Sequence, residues 1–179
     1  AGEVRRALAA GFQSGKSDPP EIVYTADIFD HEALDLVVEH KLPVNCGSPD
    51  MIDQLGQRAP GSEITLRINP GFGHGHSQKT NTGGEGSKHG IWHGDLDDCI
   101  QRAAKYNISI TGMHMHIGSG TDMEHLSQVC GAMEKIAAAV GPSVTSISAG
   151  GGVPTPYRNE DEPVDLSGYY KLWDSTRQK

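Results

Sequence analysis

The 179-residue sequence lacks a long apolar run, an excess of basic residues and any closely spaced pair of cysteines. No stretch reaches the roughly 20 apolar residues that a membrane span requires, and the amino terminus does not resemble a signal peptide. The net charge of −8 argues against a nucleic-acid or anionic-membrane surface, which would need a basic face. Because Cys46, Cys99 and Cys130 are odd in number and far apart, we expect buried thiols in a reducing cytoplasm.

Short β-branched segments alternate with amphipathic segments along the whole chain, which is typical of a parallel α/β protein. Ser48, Asp95 and Asp122 stand at N-cap positions before three of the amphipathic segments. Another helix opens the chain and should end at Gly11. The predicted strands are 21–26, 42–47, 63–69, 109–117 and 143–149.

The polar residues of these strands share one parity, which favours a barrel over an open sheet. Strands of a doubly wound sheet are buried on both faces and should be almost wholly apolar. In 63–69, however, polar side chains alternate with leucine and isoleucine, and in 112–118 glycine and histidine alternate with apolar residues. The fold we predict is therefore an incomplete (β/α)8 barrel with about five of its eight strands, since a whole barrel needs about 250 residues.

The stretch TGMHMHIGSG, residues 111–120, carries two histidines on one strand face. His114 and His116 could bind zinc, as could His74 and His76 in the long loop upstream. A catalytic zinc needs about three protein ligands, and the last strand, SISAGGG, offers none. Metal binding is therefore the less favoured interpretation. The simpler one is that both histidines lie in the interior and are held by hydrogen bonds.

Two glycine-rich strand ends favour phosphate binding instead. The run GSG, 118–120, ends one strand, and AGGG, 149–152, ends the next. Such ends expose backbone N–H groups to an anion, and Ser119 adds a hydroxyl. Either run alone could simply permit a tight turn. Together, beside the imidazole of His116, they predict a site for the phosphate of a flat cofactor.

These motifs carry a family resemblance over essentially the whole chain. GMHMHIGSG and ISAGGGVPTPY, with LRINPGFGHGHSQKTNTGGEGSKHGI upstream, resemble the diaminopimelate decarboxylases. That family consists of cytoplasmic pyridoxal 5′-phosphate (PLP) enzymes with an alanine-racemase-like barrel of fold-type III. The resemblance implies a lyase of lysine biosynthesis that converts meso-2,6-diaminopimelate to L-lysine and CO2.

The resemblance also implies which residues hold the cofactor. His116 would stack on the pyridine ring, Ser119 would contact the phosphate, and Gly151 and Gly152 would donate backbone N–H groups to it.

Other positions match the family less completely. Arg67 corresponds to a site-facing arginine, and His114, on the same interior face, should support the cofactor contacts from behind. Lys88 matches a lysine near the partner subunit of related enzymes, and the parent enzyme is expected to be a homodimer. His89 stands where phenylalanine is usual. The segment YTADIFD, 24–30, departs from the family pattern, so no role is assigned to it.

The lysine that forms a Schiff base with the cofactor in this family has no counterpart in the sequence. Lys16, Lys41 and Lys105 lie in polar loop or helix-end contexts. The Glu-Pro-Gly-Arg segment and the motifs of a second, β domain are also missing. We therefore expect residues 1–179 to form one partial barrel domain, the third to seventh strands, with weak or absent cofactor binding and no turnover. Its open sheet edges should favour self-association.

Three other functions are consistent with parts of the sequence. A sister decarboxylase of ornithine, arginine or a carboxylated polyamine shares the histidine and glycine motifs. A non-catalytic binding module would explain the missing lysine equally well. A metal-dependent barrel hydrolase is the third alternative.

Overall fold

The computed structural model describes residues 1–15, 19–73, 82–118, 122–153, 156, 158–160 and 163–178. Helices and strands alternate, as predicted. The helices are α1 (Gly2–Ala9), α2 (His31–His40), α3 (Pro49–Arg58), α4 (Leu96–Lys105), α5 (Met123–Val140) and α6 (Leu166–Arg177). The strands are β1 (Tyr24–Ala26), β2 (Val44–Cys46), β3 (Glu63–Asn69), β4 (Ile91–Trp92), β5 (Ser109–His114) and β6 (Ser146–Ser148).

The strands form one parallel sheet in the order β1-β2-β3-β5-β6, which confirms the predicted α/β class. Every predicted strand is present, although all except β3 are shorter than their predicted ranges. The sequence analysis did not anticipate β4, which pairs with the last two residues of β3. Its pairs with β3 lie just beyond the last β3–β5 pair, Arg67 with His114.

A register shift between Ile64 and Thr65 aligns the polar parity of β3 with that of β5. Beyond the shift, Thr65 lies opposite Gly112 and Arg67 opposite His114. Gly112 is required here, because a Cβ atom would overlap the Thr65 hydroxyl. The shift therefore brings the polar residues of both strands onto the same face of the sheet.

Apolar residues of the opposite parity form the core with the helices. Leu66 and Met113 are completely buried, and Ile68 is nearly so. The core also takes in large side chains and thiols from β2 and the helices, namely Cys46, Met51, Ile52, Cys99, Cys130 and Met133. All three cysteines are buried, as predicted, and none forms a disulfide. Burial raises the pKa of Cys46 and of Cys99 to about 12, so these thiols stay protonated and unreactive.

The helix ends follow the predicted signals in part. Asp122 caps α5 by accepting a hydrogen bond from the His125 N–H, and Gly11 follows α1 at a φ of +94°. Ser48 and Asp95 occupy N-cap positions, but neither side chain makes the capping hydrogen bond. No helix in the described ranges has both the length and the apolar character needed to cross a bilayer.

Two helices were not assigned from the sequence, although both begin at an aspartate that caps them. Asp30 accepts a hydrogen bond from the Ala33 N–H at 2.6 Å, and Asp165 accepts one from the Gly168 N–H at 2.9 Å. The same N-cap rule that located α5 would have located α2 and α6.

Helices α3 and α4 approach closely where Gly56 faces the ring of Tyr106, and this contact gives a stability prediction. A Cβ atom at Gly56 would overlap the base of the Tyr106 side chain, which has little room to move. We expect Gly56→Ala to lower the free energy of unfolding by about 1–3 kcal/mol through overpacking, despite alanine's higher helix propensity. Urea denaturation followed by circular dichroism measures the change.

The matched control for this substitution is Gly131→Ala in α5, where no atom lies within 4 Å of the new methyl group. The control should stabilise the protein by about 0.5–1 kcal/mol, because only helix propensity acts. Equal effects of the two substitutions would contradict the close α3–α4 contact.

Candidate functional site

Polar side chains of the interior face collect toward the carboxyl ends of β3, β5 and β6. Arg67, His114, His116 and the glycines at 150 and 151 line an open cavity of about 1130 Å³ along this face. The carboxyl ends of parallel strands are where α/β proteins build binding sites, because side chains and loop backbone converge there. The structure therefore brings together Arg67, both histidines and the glycine run, as the sequence predicted.

His114 is a buried, hydrogen-bonded histidine at the back of this cavity. It is 9% exposed, and its Nδ1 lies 2.9 Å from the Ser148 hydroxyl oxygen. Ser148 in turn accepts a hydrogen bond from the Gly150 N–H at 3.3 Å. Burial, with further contributions from the charge of Arg67 and from His116, lowers the pKa of His114 to about 4. His114 is thus a neutral imidazole that connects β5 to the glycine run, and its supporting role toward a cofactor stays a prediction.

His116 lies nearer the opening and is joined directly to the glycine run. The Gly151 N–H donates a hydrogen bond to His116 Nδ1 at 3.2 Å. Burial lowers the pKa of His116, and the charges of Arg67 and His89 act in the same direction. Because Nδ1 accepts a hydrogen bond, the single proton of the neutral ring is assigned to Nε2.

The three consecutive glycines differ in what the fold requires of them. Gly150 and Gly152 have φ angles of +68° and +95°, and a Cβ atom on either would overlap neighbouring backbone. Gly151 has no such constraint, since a Cβ atom there would lie 3.8 Å from His116 Cε1, an ordinary contact. Its bare Cα thus leaves open surface beside a neutral imidazole. A methyl group on Gly151 would cover this surface. The bare Cα therefore leaves room for a phosphate-bearing aromatic ring beside His116.

Gly151 and Ser119 are two of the residues that were predicted to contact a phosphate. Gly151 was expected to offer its N–H to a phosphate, whereas the structure directs that hydrogen to His116 Nδ1. A phosphate would therefore have to displace the ring nitrogen as acceptor, and this contact stays a prediction. Ser119 lies outside the described residues, as do His74 and His76.

The sequence analysis missed Asp27, the first residue after β1. Its Oδ2 lies 2.6 Å from His89 Nδ1, and its Oδ1 accepts hydrogen bonds from Arg67 Nη1 at 3.4 Å and from the Gly90 N–H at 3.2 Å. The signal was present, because a carboxylate directly after a strand of a parallel sheet lies at the end where sites are built. It was overlooked because segment 24–30 departs from the family pattern.

Residues 82–90 cross the carboxyl ends of β3 and β5. Asn69, which is 4% exposed, accepts hydrogen bonds from the N–H groups of Gly71 and Gly84 and donates one to the Gly84 carbonyl. The Thr82 N–H donates a hydrogen bond to the Ile117 carbonyl, and the Thr82 hydroxyl donates one to the His116 carbonyl. These contacts attach segment 82–90 to the rim of the cavity.

The described side chains suit binding of a flat anion better than covalent chemistry. Each described lysine is exposed, namely Lys41, Lys88, Lys105, Lys135 and Lys171. Lys41 lines the cavity, but beside Leu42 and Pro43 before β2, and so not at the strand ends where His116 and the glycines lie. The exposure of Lys41 and Lys105 agrees with their predicted helix-end settings, whereas Lys16 lies outside the described residues. Over the same described ranges, no three histidine, cysteine or carboxylate side chains converge as metal ligands would.

Comparison with known proteins identifies one family, and two similar proteins share one name. Residues 1–179 match the family model described as "Pyridoxal-dependent decarboxylase, pyridoxal binding domain". Diaminopimelate decarboxylase of Escherichia coli K12 is 52% identical over 178 residues, and that of Streptomyces coelicolor is 51% identical over 178 residues. The alignments cover 99% of this chain but only 42% and 40% of those proteins.

A solved structure shows the same architecture. The crystal structure of a diaminopimelate decarboxylase superimposes with a TM-score of 0.91 at 52% identity, covering 99% of this chain and 42% of that one. The parallel sheet described above therefore corresponds to part of a barrel of the fold-type III class.

Proposed function

Because this chain belongs to the pyridoxal-dependent decarboxylases, we propose that it is the cofactor-binding part of a diaminopimelate decarboxylase. The complete enzyme would convert meso-2,6-diaminopimelate to L-lysine and CO2 in lysine biosynthesis. Two relatives of that name, each about half identical in sequence, support this substrate over those of the sister decarboxylases. The activity of the whole protein is a proposal, since the chain spans 40–42% of these relatives.

The observation that carries the proposal is the contact between Gly151 and His116. It places a neutral imidazole beside a glycine with an unobstructed Cα, at the carboxyl ends of β5 and β6. We assign PLP to this place, with its ring against His116 and its phosphate toward Gly151, Gly152 and Ser119. Arg67 would face the cofactor from β3, and His114 would hold the glycine run through Ser148.

When bound, the pyridine ring of the cofactor supplies an acceptor for the electron pair that remains after CO2 is lost. The chain's own residues bind and orient. His116 presents a neutral ring, so it packs against an aromatic ligand without adding charge. Arg67 places a cation on the interior face, and its carboxylate partner Asp27 partly balances its charge. Proton transfer and the covalent anchor are assigned to residues other than those described.

The proposal includes several predictions that rest on the sequence alone. They are a cytoplasmic location, a homodimeric parent enzyme, and self-association of this chain through the edges of β1 and β6. We also propose that the complete enzyme has further barrel strands before β1 and after β6, followed by a β domain.

Substitution of Gly151 tests the cofactor assignment directly. We expect the 179-residue chain to bind PLP weakly, and Gly151→Ala to weaken that binding by about tenfold because the methyl group takes the ligand's place. Equilibrium dialysis with PLP and with inorganic phosphate measures both affinities. The substitution should weaken both, since the phosphate is the shared group.

Gly131→Ala is the control, because it makes the same chemical change on α5, at a residue that does not line the cavity. Unchanged PLP affinity in a folded Gly151→Ala protein would contradict the cofactor position. Substrate choice is decided separately, by assaying the full-length protein with meso-2,6-diaminopimelate, ornithine, arginine and a carboxylated polyamine. Release of CO2 from ornithine or arginine in preference to diaminopimelate would favour a sister decarboxylase.

A further inference from the structure

Asp27 has no place among the residues assigned to the cofactor, yet it has more polar contacts than its neighbours at the end of β1. One oxygen faces Arg67 of β3 and the Gly90 N–H, and the other faces His89. These partners lie 40, 63 and 62 residues away in sequence. A single carboxylate therefore joins β1, β3 and the segment 82–90.

The end of β2 leaves room for this carboxylate. A Cβ atom at Gly47 would overlap both the Ala26 carbonyl and the Asp27 carboxylate. Gly47 has no positive φ that would itself call for glycine. The absence of a side chain at 47 is thus explained by the close approach of Asp27.

The contacts are shielded enough to orient the groups involved. The side chain of Arg67 is 12% exposed, that of Asp27 28% and that of His89 33%. A partly buried guanidinium needs a counter-charge and a fixed hydrogen-bond acceptor, and Asp27 provides both. Because Arg67 stands opposite His114 in the sheet, its position also determines where positive charge lies beside the two histidines.

We propose that Asp27 is a positioning residue, which holds the Arg67 guanidinium and the His89–Gly90 backbone at the rim of the cavity. Its effect on ligand binding rests on the proposed function, whereas its effect on Arg67 and Gly90 does not. Asp27 acts through Arg67 and is not itself assigned to the cofactor.

Two substitutions separate the backbone contact from the charge. Asp27→Ala removes every acceptor, so hydrogen exchange at the Gly90 amide and at the Arg67 side chain should each accelerate by about tenfold or more, as measured by NMR on the 179-residue chain. Asp27→Asn keeps a neutral acceptor and should restore slow exchange at Gly90 but not at Arg67. Restoration at both sites by asparagine would show that the charge has no positioning role and would overturn the proposal.

A purely structural role of Asp27 would leave the affinity for PLP unchanged, so ligand binding tests the positioning role. Asp27→Asn should weaken PLP binding by about fivefold while leaving inorganic phosphate binding within about twofold, since the phosphate is assigned to the glycine run and not to Arg67. Asp35→Asn is the matched control, because it makes the same charge change and loses an arginine partner, Arg58, on the exposed surface.

The outcomes distinguish the two hypotheses. If the unsubstituted chain binds neither ligand, the cofactor assignment fails for this chain, and exchange at Gly90 and Arg67 still decides the role of Asp27. If PLP binds normally and Asp27→Asn leaves its affinity unchanged, the positioning role is rejected while the cofactor assignment stands.

Discussion

Replacing Gly152 with alanine should lower the free energy of unfolding by about 3 kcal/mol or more, the largest effect that we expect from a single methyl group in this chain. Two costs combine. A φ of +95° is strained for any residue with a Cβ atom, by about 1–3 kcal/mol. The new methyl group would also overlap the Gly118 carbonyl oxygen, which is a backbone atom of the segment after β5 and cannot move away as a side chain could.

Chemical denaturation monitored by circular dichroism measures this loss, with Gly151→Ala as the control one residue away. The control has neither cost, because Gly151 lacks a positive φ and its nearest heavy atom would be 3.8 Å from the methyl group. Its stability should therefore stay within about 0.5 kcal/mol of the unsubstituted chain. A Gly152→Ala protein as stable as this control would show that the described approach of Gly152 to Gly118 is wrong.

Acidification from pH 6.5 to pH 4 should cost about 3 kcal/mol of folding free energy through His114 alone. The pKa of His114 falls from an ordinary value of about 6.5 in the unfolded chain to about 4 in the folded protein. Between these values the unfolded state binds the additional proton, so stability decreases as the pH falls. Above about pH 7.5 the imidazole is neutral in both states, so His114 no longer makes the stability depend on pH.

His114→Gln tests this effect, because glutamine has no titration in the range and can still bond to Ser148. Urea denaturation at pH 7.5 and pH 4.5 should show a smaller acid-induced loss in the glutamine protein, by about 2–3 kcal/mol. Carboxylates and His116 titrate in both proteins, so their contributions largely cancel in the comparison. Parallel pH dependences for the two proteins would contradict a buried, neutral His114.

The order of the predicted elements was correct because strand and helix periodicities are local properties of the chain. The alternation of polar and apolar residues in 63–69 and 109–114 gave the right face for each side chain. Strand lengths were overestimated, since a residue joins a strand only where a neighbouring strand offers hydrogen bonds. For the same reason β4 was missed: two residues have no periodicity, and they form a strand only through their pairing with the last two residues of β3.

The candidate site was predicted in part. His116 and the glycine run lie on strands that are consecutive among those predicted, so their proximity follows from the parallel order. Asp27 was overlooked because its segment departs from the family pattern, and its partners, 40 or more residues away, could not be predicted from the sequence. The direction of the Gly151 N–H toward His116 was also not predictable, since it depends on the backbone angles of three successive glycines.

The α/β class, and the parity that turns Arg67, His114 and His116 toward one face, follow from the sequence, because side-chain periodicity acts within a few residues. The contacts of Asp27 with Arg67 and His89, and the burial that keeps His114 neutral, depend on the tertiary structure. Hydrogen-bond partners and pKa values depend on which distant groups exclude water from a side chain, and the folded arrangement of the strand ends sets those neighbours.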